Sequence, residues 1–299
     1  MLEFKEISLS DKQWIRPLLE MSDFRSEEYN FTFMYIWRHV FRYRAAQMNQ
    51  HLILKATWTG RPPSYLSPAG SGDIAPVIEA IRQDAAKEGA PLVLHTVLTE
   101  QKALLETMYP GKFSFLSVDD YFDYVYDAQS LITLSGKKLH AKRNHINRFK
   151  AENPDWTYEP ITGENLPEVL QMSDDWLRRH MEDATKSLEQ ESLSVYAAIR
   201  DFCALGMDGG LIRAGGRIVA FSMGDRLNSD TYLVHIEKAY SDIHGAYAII
   251  NQQFAEHNCH DYRYINREDD SGQEGLRKAK QSYRPAFLVE KYGARWIGG

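Results

Sequence analysis

The stretch TYLVHIEKAY (231–240) holds two side chains that exchange protons, two positions apart. In a strand, side chains alternate between faces, which predicts that Leu233, His235 and Glu237 share one face. On the wall of a cleft, an imidazole or a carboxylate of raised pKa can take the proton that an attacking amine must lose. A solvent-facing or hydrogen-bonded pair is the alternative that this pattern leaves open. His235 and Glu237 are therefore candidate catalytic residues.

A second polar group lies in INREDDSGQEGLRKAKQSYRP (265–285), where a strand end is followed by four charged residues and a helix. Ligands of open α/β sheets bind beyond the carboxyl ends of the strands, so this position favours a binding site. The alternative is that the acids only favour the N-terminus of a surface helix through its dipole. The candidate residues are Asn266, Glu268, Asp269 and Asp270 at the strand end, with Arg277 and Lys280 on the helix.

Positive charge is concentrated in LSGKKLHAKRNHINRFK (134–150), which has six Lys or Arg residues and no acid in a chain of net charge -6. Read as one helix, it would bury Leu139, Ile146 and Phe149. Its cationic side chains could meet the phosphate backbone of a nucleic acid, with affinity supplied mainly by counterion release. The bases considered for that contact are Lys138, Lys142, Arg143 and Lys150.

Two other roles for this basic segment remain open. Its bases could pair with acids just upstream and so attach a linker to a domain; those acids are Asp119, Asp120, Asp123 and Asp127. In number, the six basic residues also resemble a polybasic patch that binds an anionic membrane surface.

The common signatures of metal and cofactor sites are absent from the sequence. There is no P-loop, no GxGxxG after a strand, no HExxH, no Cys/His metal spacing and no GxSxG nucleophile elbow. We expect no metal and no required cofactor, which leaves transfer or binding chemistry. The opening MLEFKEISLSDKQ lacks the order of a secretory signal, and no apolar run approaches about 20 residues, so we expect a cytoplasmic protein.

The 299 residues suit two domains, and the two halves share a coarse order of strands, helix, strand, helix and strand. The clearest local signal is GLIRAGGRIVAFSMGDRL (210–227), where Gly215 and Gly216 separate two apolar runs as in a β-hairpin. YNFTFMYIWRHVF (29–41) must be largely buried, and RPPSYLSPAGSG (61–72) is typical of a loop. The expected fold class is α/β (α+β), with an N-terminal domain over 1–130, a basic linker helix over 131–150 and a C-terminal domain over 151–299.

Several stretches resemble a known fold in both sequence and order: LIRAGGRIVAFSMG, TYLVHIEKAY, GAYAIINQQFAEH, YRYINRED and GLRKAKQSYRP. They resemble the Gcn5-related N-acetyltransferase fold. Over nearly its whole length the chain is similar to bacterial proteins grouped with the C-terminal domain of phosphatidylglycerol lysyltransferases, relatives of the Fem peptidyltransferases. The most distinctive stretches are SEEYNFTFMYIWRH, LSGKKLHAKRNHINRF and EDDSGQEGLRKAKQSYRP.

This resemblance implies two tandem acetyltransferase-like domains, each a mixed central sheet flanked by helices, with the site in the C-terminal domain. It implies transfer of an aminoacyl group from charged tRNA to an amine or hydroxyl of a lipid, a peptide or a small molecule. Under that reading, Glu237 or Glu268 deprotonates or orients the acceptor, and Asn266, Asp269 and Asp270 bind a cationic amino group. Arg277 and Lys280 would meet the tRNA terminus, Tyr283 would bind substrate, and Lys138, Lys142 and Arg143 would bind the tRNA.

Acyl-CoA is the alternative donor that the resemblance suggests. Acetyltransferases of this fold hold the coenzyme A pyrophosphate on a loop that matches DIHGAYA (242–248) here. Gly245 fits that loop, whereas Asp242 replaces a cationic or amide residue and Tyr247 replaces a small one. An acid there would repel a pyrophosphate, which disfavours coenzyme A. A non-catalytic binding module on the same fold is a further alternative.

Overall fold

The computed structural model describes residues 2–58, 60–180 and 186–298, which form two compact units. The first unit comprises Met1–Asp123, Asp269–Gly272 and Leu288–Gly299, and the second comprises Tyr124–Glu268 and Gln273–Phe287. This division differs from the boundaries expected at 130 and 150. The basic segment lies wholly within the second unit, and the C-terminal strand returns to the first because its backbone pairs with strands there.

The strands are β1 (Lys5–Glu6), β2 (Arg44–Met48), β3 (His51–Trp58), β4 (Arg61–Leu66), β5 (Ala69–Gly70), β6 (Val93–Leu98), β7 (Phe113–Ser117), β8 (Asp123–Asp127), β9 (Thr157–Pro160), β10 (Asp208–Ala214), β11 (Arg217–Arg226), β12 (Thr231–Ala239), β13 (Tyr264–Asn266), β14 (Phe287–Val289) and β15 (Lys291–Trp296).

The helices are α1 (Lys12–Ser22), α2 (Phe31–Phe41), α3 (Ala75–Lys87), α4 (Thr99–Met108), α5 (Ala128–Thr133), α6 (His140–Glu152), α7 (Leu166–His180), α8 (Lys186–Arg200), α9 (Phe202–Leu205), α10 (Ala246–Asn258) and α11 (Glu274–Ser282). None of these helices, within the parts of the chain described, is long and apolar enough to cross a bilayer.

The first unit is built on a mixed sheet of order β1-β2-β3-β4-β6-β15-β7, with β5 paired to β3. Strand β15 lies between β6 and β7 and is antiparallel to both, and Ala294 at its middle is fully buried. Helix α3 packs Val77, Ile78 and Ile81 into the core on this sheet. Helix α2 is mostly buried, as its aromatic sequence predicts, and the Asn30 side chain caps it by accepting from the Phe33 amide.

The second unit is built on a mixed sheet of order β14-β8-β13-β12-β11-β10-β9. β12 and β13 are parallel, whereas β9, β10, β11 and β12 form consecutive antiparallel pairs. Gly215 and Gly216 have φ of +58° and +72°, the conformation that a tight turn between right-twisted strands requires. The predicted hairpin is therefore confirmed.

Helices α6 and α10 lie against each other in the second unit. Helix α6 buries Ile146 and Phe149, with Leu139 just before it, so the predicted apolar face of the basic segment is confirmed. Gly245 precedes α10 with φ +80°, and a Cβ there would lie 2.3 Å from the His145 carbonyl oxygen. Only glycine allows α6 to approach the start of α10 so closely.

Candidate active site

A β-bulge in β12 changes the arrangement predicted for His235 and Glu237. Met223 of β11 pairs with Ile236 and the next residue, Gly224, pairs with Val234, so His235 is the extra residue of β12. Alternation is broken at such a residue. Glu237 therefore faces α10, whereas His235 turns to the opposite face beside Asp225. The expectation that His235 and Glu237 share a face is wrong, because it assumed an unbroken period of two.

On the α10 side, Glu237 holds two other polar side chains. One of its carboxylate oxygens accepts from Arg267 Nη2 at 2.9 Å, and the other accepts from Asn251 Nδ2 at 3.0 Å. Arg267 directly follows β13, which is parallel to β12 and ends beside Leu233, and its side chain reaches Glu237 farther along β12. Burial alone would lower the pKa of Arg267, but the Glu237 carboxylate outweighs it and the pKa is raised. The guanidinium thus stays charged inside the unit.

Two buried atoms of this cluster have no hydrogen-bond partner among the residues described: Arg267 Nη1, a donor, and Asn251 Oδ1, an acceptor. The orientation of the Asn251 amide is fixed by chemistry, since a carboxylate accepts and only the amide nitrogen can face Glu237. Buried polar atoms without partners are rare in proteins and costly to maintain. This donor and acceptor are therefore the strongest indication of a ligand site in the second unit.

Lys142 reaches the same cluster from α6. Its Nζ lies 3.9 Å from the centroid of the Tyr283 ring, and Arg267 Cζ lies 5.0 Å from that centroid. Arg267 also lies 5.6 Å from the ring of Tyr126 on β8. Burial, followed by the positive charge of Arg267, lowers the pKa of Lys142 to about 8. Lys142 is thus closer to deprotonation at neutral pH than an ordinary lysine.

His235 lies on the opposite face between two carboxylates. Its ring nitrogens are 3.1 Å from Asp225 Oδ1 and 3.2 Å from Glu268 Oε1. Burial alone would lower the pKa of His235, but the hydrogen bonds and charges of Asp225 and Glu268 raise it to about 9. At neutral pH the imidazole is therefore protonated and donates from both nitrogens. Glu268 itself adopts φ +58°, unusual for a residue with a side chain, and its amide donates to Asn266 Oδ1.

The acids after Glu268 belong to the first unit and make local turn contacts. Asp269 Oδ1 accepts from the amide and hydroxyl of Ser271, and Asp270 Oδ1 accepts from the Gly272 amide at 2.9 Å. Asp270 is fully buried. Their predicted role as binders of an amino group stays a prediction.

The two bases predicted on α11 differ in exposure. Lys280 is buried, its Nζ donates to the Arg267 carbonyl, and it lies 5.8 Å from the Tyr124 ring. Lys280 thus holds the backbone of Arg267 in place. The predicted contact with a tRNA terminus would need an exposed side chain, whereas Lys280 is buried. Arg277 is half-buried on the same helix.

Much of the basic segment is engaged within the second unit. Arg143 Nη1 donates to the carbonyls of Leu134 and Gly136, where it caps the end of α5. Arg148 pairs with Glu152 one turn along, and Lys150 lies over the Trp156 ring. Lys137 and Lys138 are exposed in the turn before α6.

The alternative in which these bases pair with upstream acids does not describe Arg143, whose partners are carbonyl oxygens. Among the upstream acids, Asp127 caps α5 by accepting from the Ser130 amide. Asp123 pairs with Lys291 in a buried group that includes Glu27 and Glu28. Oxygens of those three acids lie close enough to hold a cation, and the Lys291 ammonium already lies among them.

The residues just before α10 contact both α7 and α6. Asp242 Oδ1 lies 3.2 Å from Arg179 Nη1, and the two side chains form an ion pair. His145 Nδ1 and His244 Nε2 are 2.9 Å apart, next to the contact between Gly245 and α6. The backbone of α6 thus lies directly against the residue that precedes α10.

Sequence reasoning missed three residues of the cluster: Arg267, Asn251 and Tyr126. Asn251 gave a signal, because it is a polar residue in a run of buried apolar ones in α10. Arg267 follows the predicted strand end by one residue, but in the sequence it is not distinguished from the charged run that it begins. The pairing of both residues with Glu237 depends on the bulge, which the sequence does not mark.

Comparison with known proteins finds similar solved structures and a curated relative of part of the chain. A conserved protein of unknown function from Bacteroides thetaiotaomicron is 39% identical, with a TM-score of 0.95 over 99% of this chain and 100% of that chain. L-PGS from Bacillus licheniformis is 20% identical, with a TM-score of 0.67 over 97% of this chain and 93% of that chain. An uncharacterised protein of Mycoplasmoides gallisepticum is 27% identical over 178 residues, which are 57% of this chain and 54% of that protein. The chain therefore spans about half the length of this curated relative.

Two mixed sheets flanked by helices make the chain a tandem acetyltransferase-like protein, so the predicted fold is confirmed. Residues 20–295 match the family described as phosphatidylglycerol lysyltransferase, C-terminal, and the chain belongs to that family. The family resemblance expected from the sequence is likewise confirmed.

Proposed function

We propose that the protein is an aminoacyltransferase that moves an aminoacyl group from charged tRNA to an amine or hydroxyl acceptor. The observation that carries this proposal is a pair of buried atoms that have no hydrogen-bond partner among the described residues, Arg267 Nη1 and Asn251 Oδ1. Glu237 holds both side chains in place through Arg267 Nη2 and Asn251 Nδ2. An aminoacyl ester has a carbonyl oxygen that accepts hydrogen bonds. It also has an amino group that donates them, and two carbon atoms separate its nitrogen from that oxygen. Family membership supports the same class of reaction.

Arg267 would act on the ester carbonyl. Negative charge develops on that oxygen when a nucleophile adds to the carbon, and a positioned donor stabilises it most where water is excluded. Asn251 Oδ1 would accept from the amino group of the aminoacyl moiety. Glu237 would act as a positioning residue, because its two oxygens are already occupied by Arg267 and Asn251.

Two features of the second unit favour a tRNA donor over acyl-CoA. Asp242 stands where the acetyltransferase resemblance predicts a cationic or amide residue for a pyrophosphate, and α6 lies against Gly245 at the start of α10. The exposed Lys137 and Lys138 are available for phosphate contacts, which would make tRNA binding weaken with salt.

The acceptor is an amine or hydroxyl of a lipid, a peptide or a small molecule. The relative from Bacillus licheniformis is named L-PGS, and the family is named for a lysyltransferase whose acceptor is phosphatidylglycerol. We therefore propose phosphatidylglycerol vesicles as the first acceptor to test, followed by peptide amines.

The test uses three purified variants with bulk charged tRNA and these acceptors. Arg267→Lys keeps the charge but loses the second donor nitrogen, and Asn251→Leu removes the acceptor. We expect Arg267→Lys and Asn251→Leu each to lose about 100-fold or more in kcat/KM, the loss typical of removing one positioned hydrogen-bonding group. Arg263→Lys is the matched control, because Arg263 is exposed on the same segment.

Full activity in Arg267→Lys and Asn251→Leu would contradict the proposed site. Transfer only from acyl-CoA would replace the proposal with an N-acyltransferase, and ligand binding without transfer from any donor would replace it with a binding module. Retention of charged tRNA on filters, compared between the native protein and a Lys137→Ala, Lys138→Ala variant across a salt series, tests the nucleic-acid contact separately. Equal retention at every salt concentration would remove Lys137 and Lys138 from that contact.

A further inference from the structure

Lys142 differs from the other bases of the basic segment in its surroundings. It projects from α6 over the buried ring of Tyr283 and makes no ion pair or hydrogen bond with the residues described. Lys150 lies two turns later on the same helix, over the ring of Trp156. Of these two lysines, only Lys142 shares its aromatic ring, that of Tyr283, with a guanidinium, which belongs to Arg267. Burial and the neighbouring Arg267 guanidinium disfavour the charged form of Lys142, and together they outweigh Glu237, which favours it.

We propose that Lys142 is a catalytic residue whose neutral amine accepts the proton lost by the attacking acceptor. The role rests on the proposed function and adds a residue to it. As the acceptor nitrogen or oxygen bonds to the acyl carbon, its proton passes to Lys142 Nζ. As the bond from the acyl carbon to the ribose oxygen breaks, the same proton passes from Nζ to that oxygen. No proton or electron is gained or lost overall.

The charged and titratable groups around Lys142 support this role. Arg267 lies after β13, Glu237 on β12, Tyr126 on β8, Tyr283 after α11 and His145 on α6. Burial and Arg267 lower the pKa of Lys142, Glu237 raises it, and the result is about 8. A base of that pKa is about one-tenth neutral at pH 7, whereas an ordinary lysine is almost wholly charged. Catalytic bases work best when their pKa lies near the working pH.

The first measurement needs only the native protein. The rate at which a small amine-acylating reagent modifies each lysine is followed by mass spectrometry across a pH series, with Lys150 as the internal reference. Because each rate is normalised to its own plateau, differences in exposure cancel. We expect half-maximal modification of Lys142 near pH 8. A titration of Lys142 that coincides with that of an ordinary lysine would overturn the proposal.

The second measurement follows transfer from charged tRNA as a function of pH in Lys142→Met, Lys142→Arg and the control Lys150→Met. Loss of a positioned base costs about 100-fold or more in kcat, so both Lys142 variants should fall by that factor with KM little changed. We expect kcat of the native protein to rise with pH up to about pH 8, and this rise should disappear in both Lys142 variants and persist in Lys150→Met. Circular dichroism of each variant verifies that it is folded.

The outcomes separate this role from the proposed function. Full activity in Lys142→Arg would show that the site needs only a positive charge, which overturns the proton-transfer role while leaving aminoacyl transfer intact. An unchanged pH profile in Lys142→Met would do the same. Absence of transfer by the native protein from every charged tRNA would overturn the proposed function, and the role of Lys142 with it.

Discussion

Replacing His235 by asparagine should remove a pH-dependent part of the stability of the second unit. The pKa of His235 rises from 6.5 to about 9 on folding, because Asp225 and Glu268 together outweigh burial. Below pH 6.5 both the folded and unfolded states carry the proton, so the stabilisation is fully present. As pH rises from 6.5 to 9 the unfolded state loses its proton first, and the stabilisation is lost.

The magnitude follows from the size of this shift. At 1.36 kcal/mol for each pKa unit, the interaction of protonated His235 with Asp225 and Glu268 adds about 3 kcal/mol to the free energy of unfolding below pH 6.5, relative to pH above 9. The free energy of unfolding of the native protein, minus that of His235→Asn, should therefore fall by about 3 kcal/mol between about pH 6 and pH 9.5. Taking the difference removes the opposite effect of Lys142, whose lowered pKa makes stability rise with pH above 8.

The assay is urea denaturation followed by circular dichroism at a series of pH values, performed in parallel on the native protein and His235→Asn. Asp225→Asn is the companion variant, because it removes one of the two carboxylates and should shrink the pH-dependent difference by part of its value. Parallel curves of stability against pH for the native protein and His235→Asn would refute the protonated His235 described above.

Two further predictions concern packing and charge elsewhere in the chain. Lys291→Met leaves the buried carboxylates of Glu27 and Asp123 without their cation, and should lower the free energy of unfolding by about 3–5 kcal/mol; unchanged thermal unfolding would contradict the buried ion group. Gly245→Ala adds a Cβ 2.3 Å from a backbone oxygen at a positive φ, and should cost clearly more than the about 1–2 kcal/mol expected for Gly216→Ala, which has a similar φ and open space around it. Equal urea midpoints of the two glycine variants would show that α6 does not lie against the start of α10.

Local patterns predicted the elements that depend on neighbouring residues. The hairpin at Gly215 and Gly216, the apolar face of α6 and the burial of α2 each follow from residues a few positions apart. RPPSYL shows the limit of that reasoning, since its composition predicts a loop whereas it forms β4. Its two prolines, Pro62 exposed and Pro63 buried, lie where the pairing with β3 shifts register, and a missing amide hydrogen is tolerated at such an irregularity.

Long-range pairing is what the sequence did not specify. Alternation marks a strand but does not name its partner, so the strand that ends the chain could not be assigned to the first unit. The bulge at His235 is likewise a property of two strands in register rather than of β12 alone. Because of it, Glu237 meets Arg267 and Asn251, whereas His235 meets Glu268. The candidate catalytic residues were named, but their division between two faces was not.

The most direct test of aminoacyl transfer offers two donors to one preparation. Bulk tRNA charged with radiolabelled amino acids and radiolabelled acetyl-CoA are each incubated with the protein and phosphatidylglycerol vesicles or peptide amines, with Arg267→Lys in parallel. We predict that label moves from tRNA to an acceptor, that this transfer is lost in Arg267→Lys, and that no label moves from acetyl-CoA. Transfer from acetyl-CoA alone, or transfer from tRNA that is unaffected in Arg267→Lys, would contradict the account.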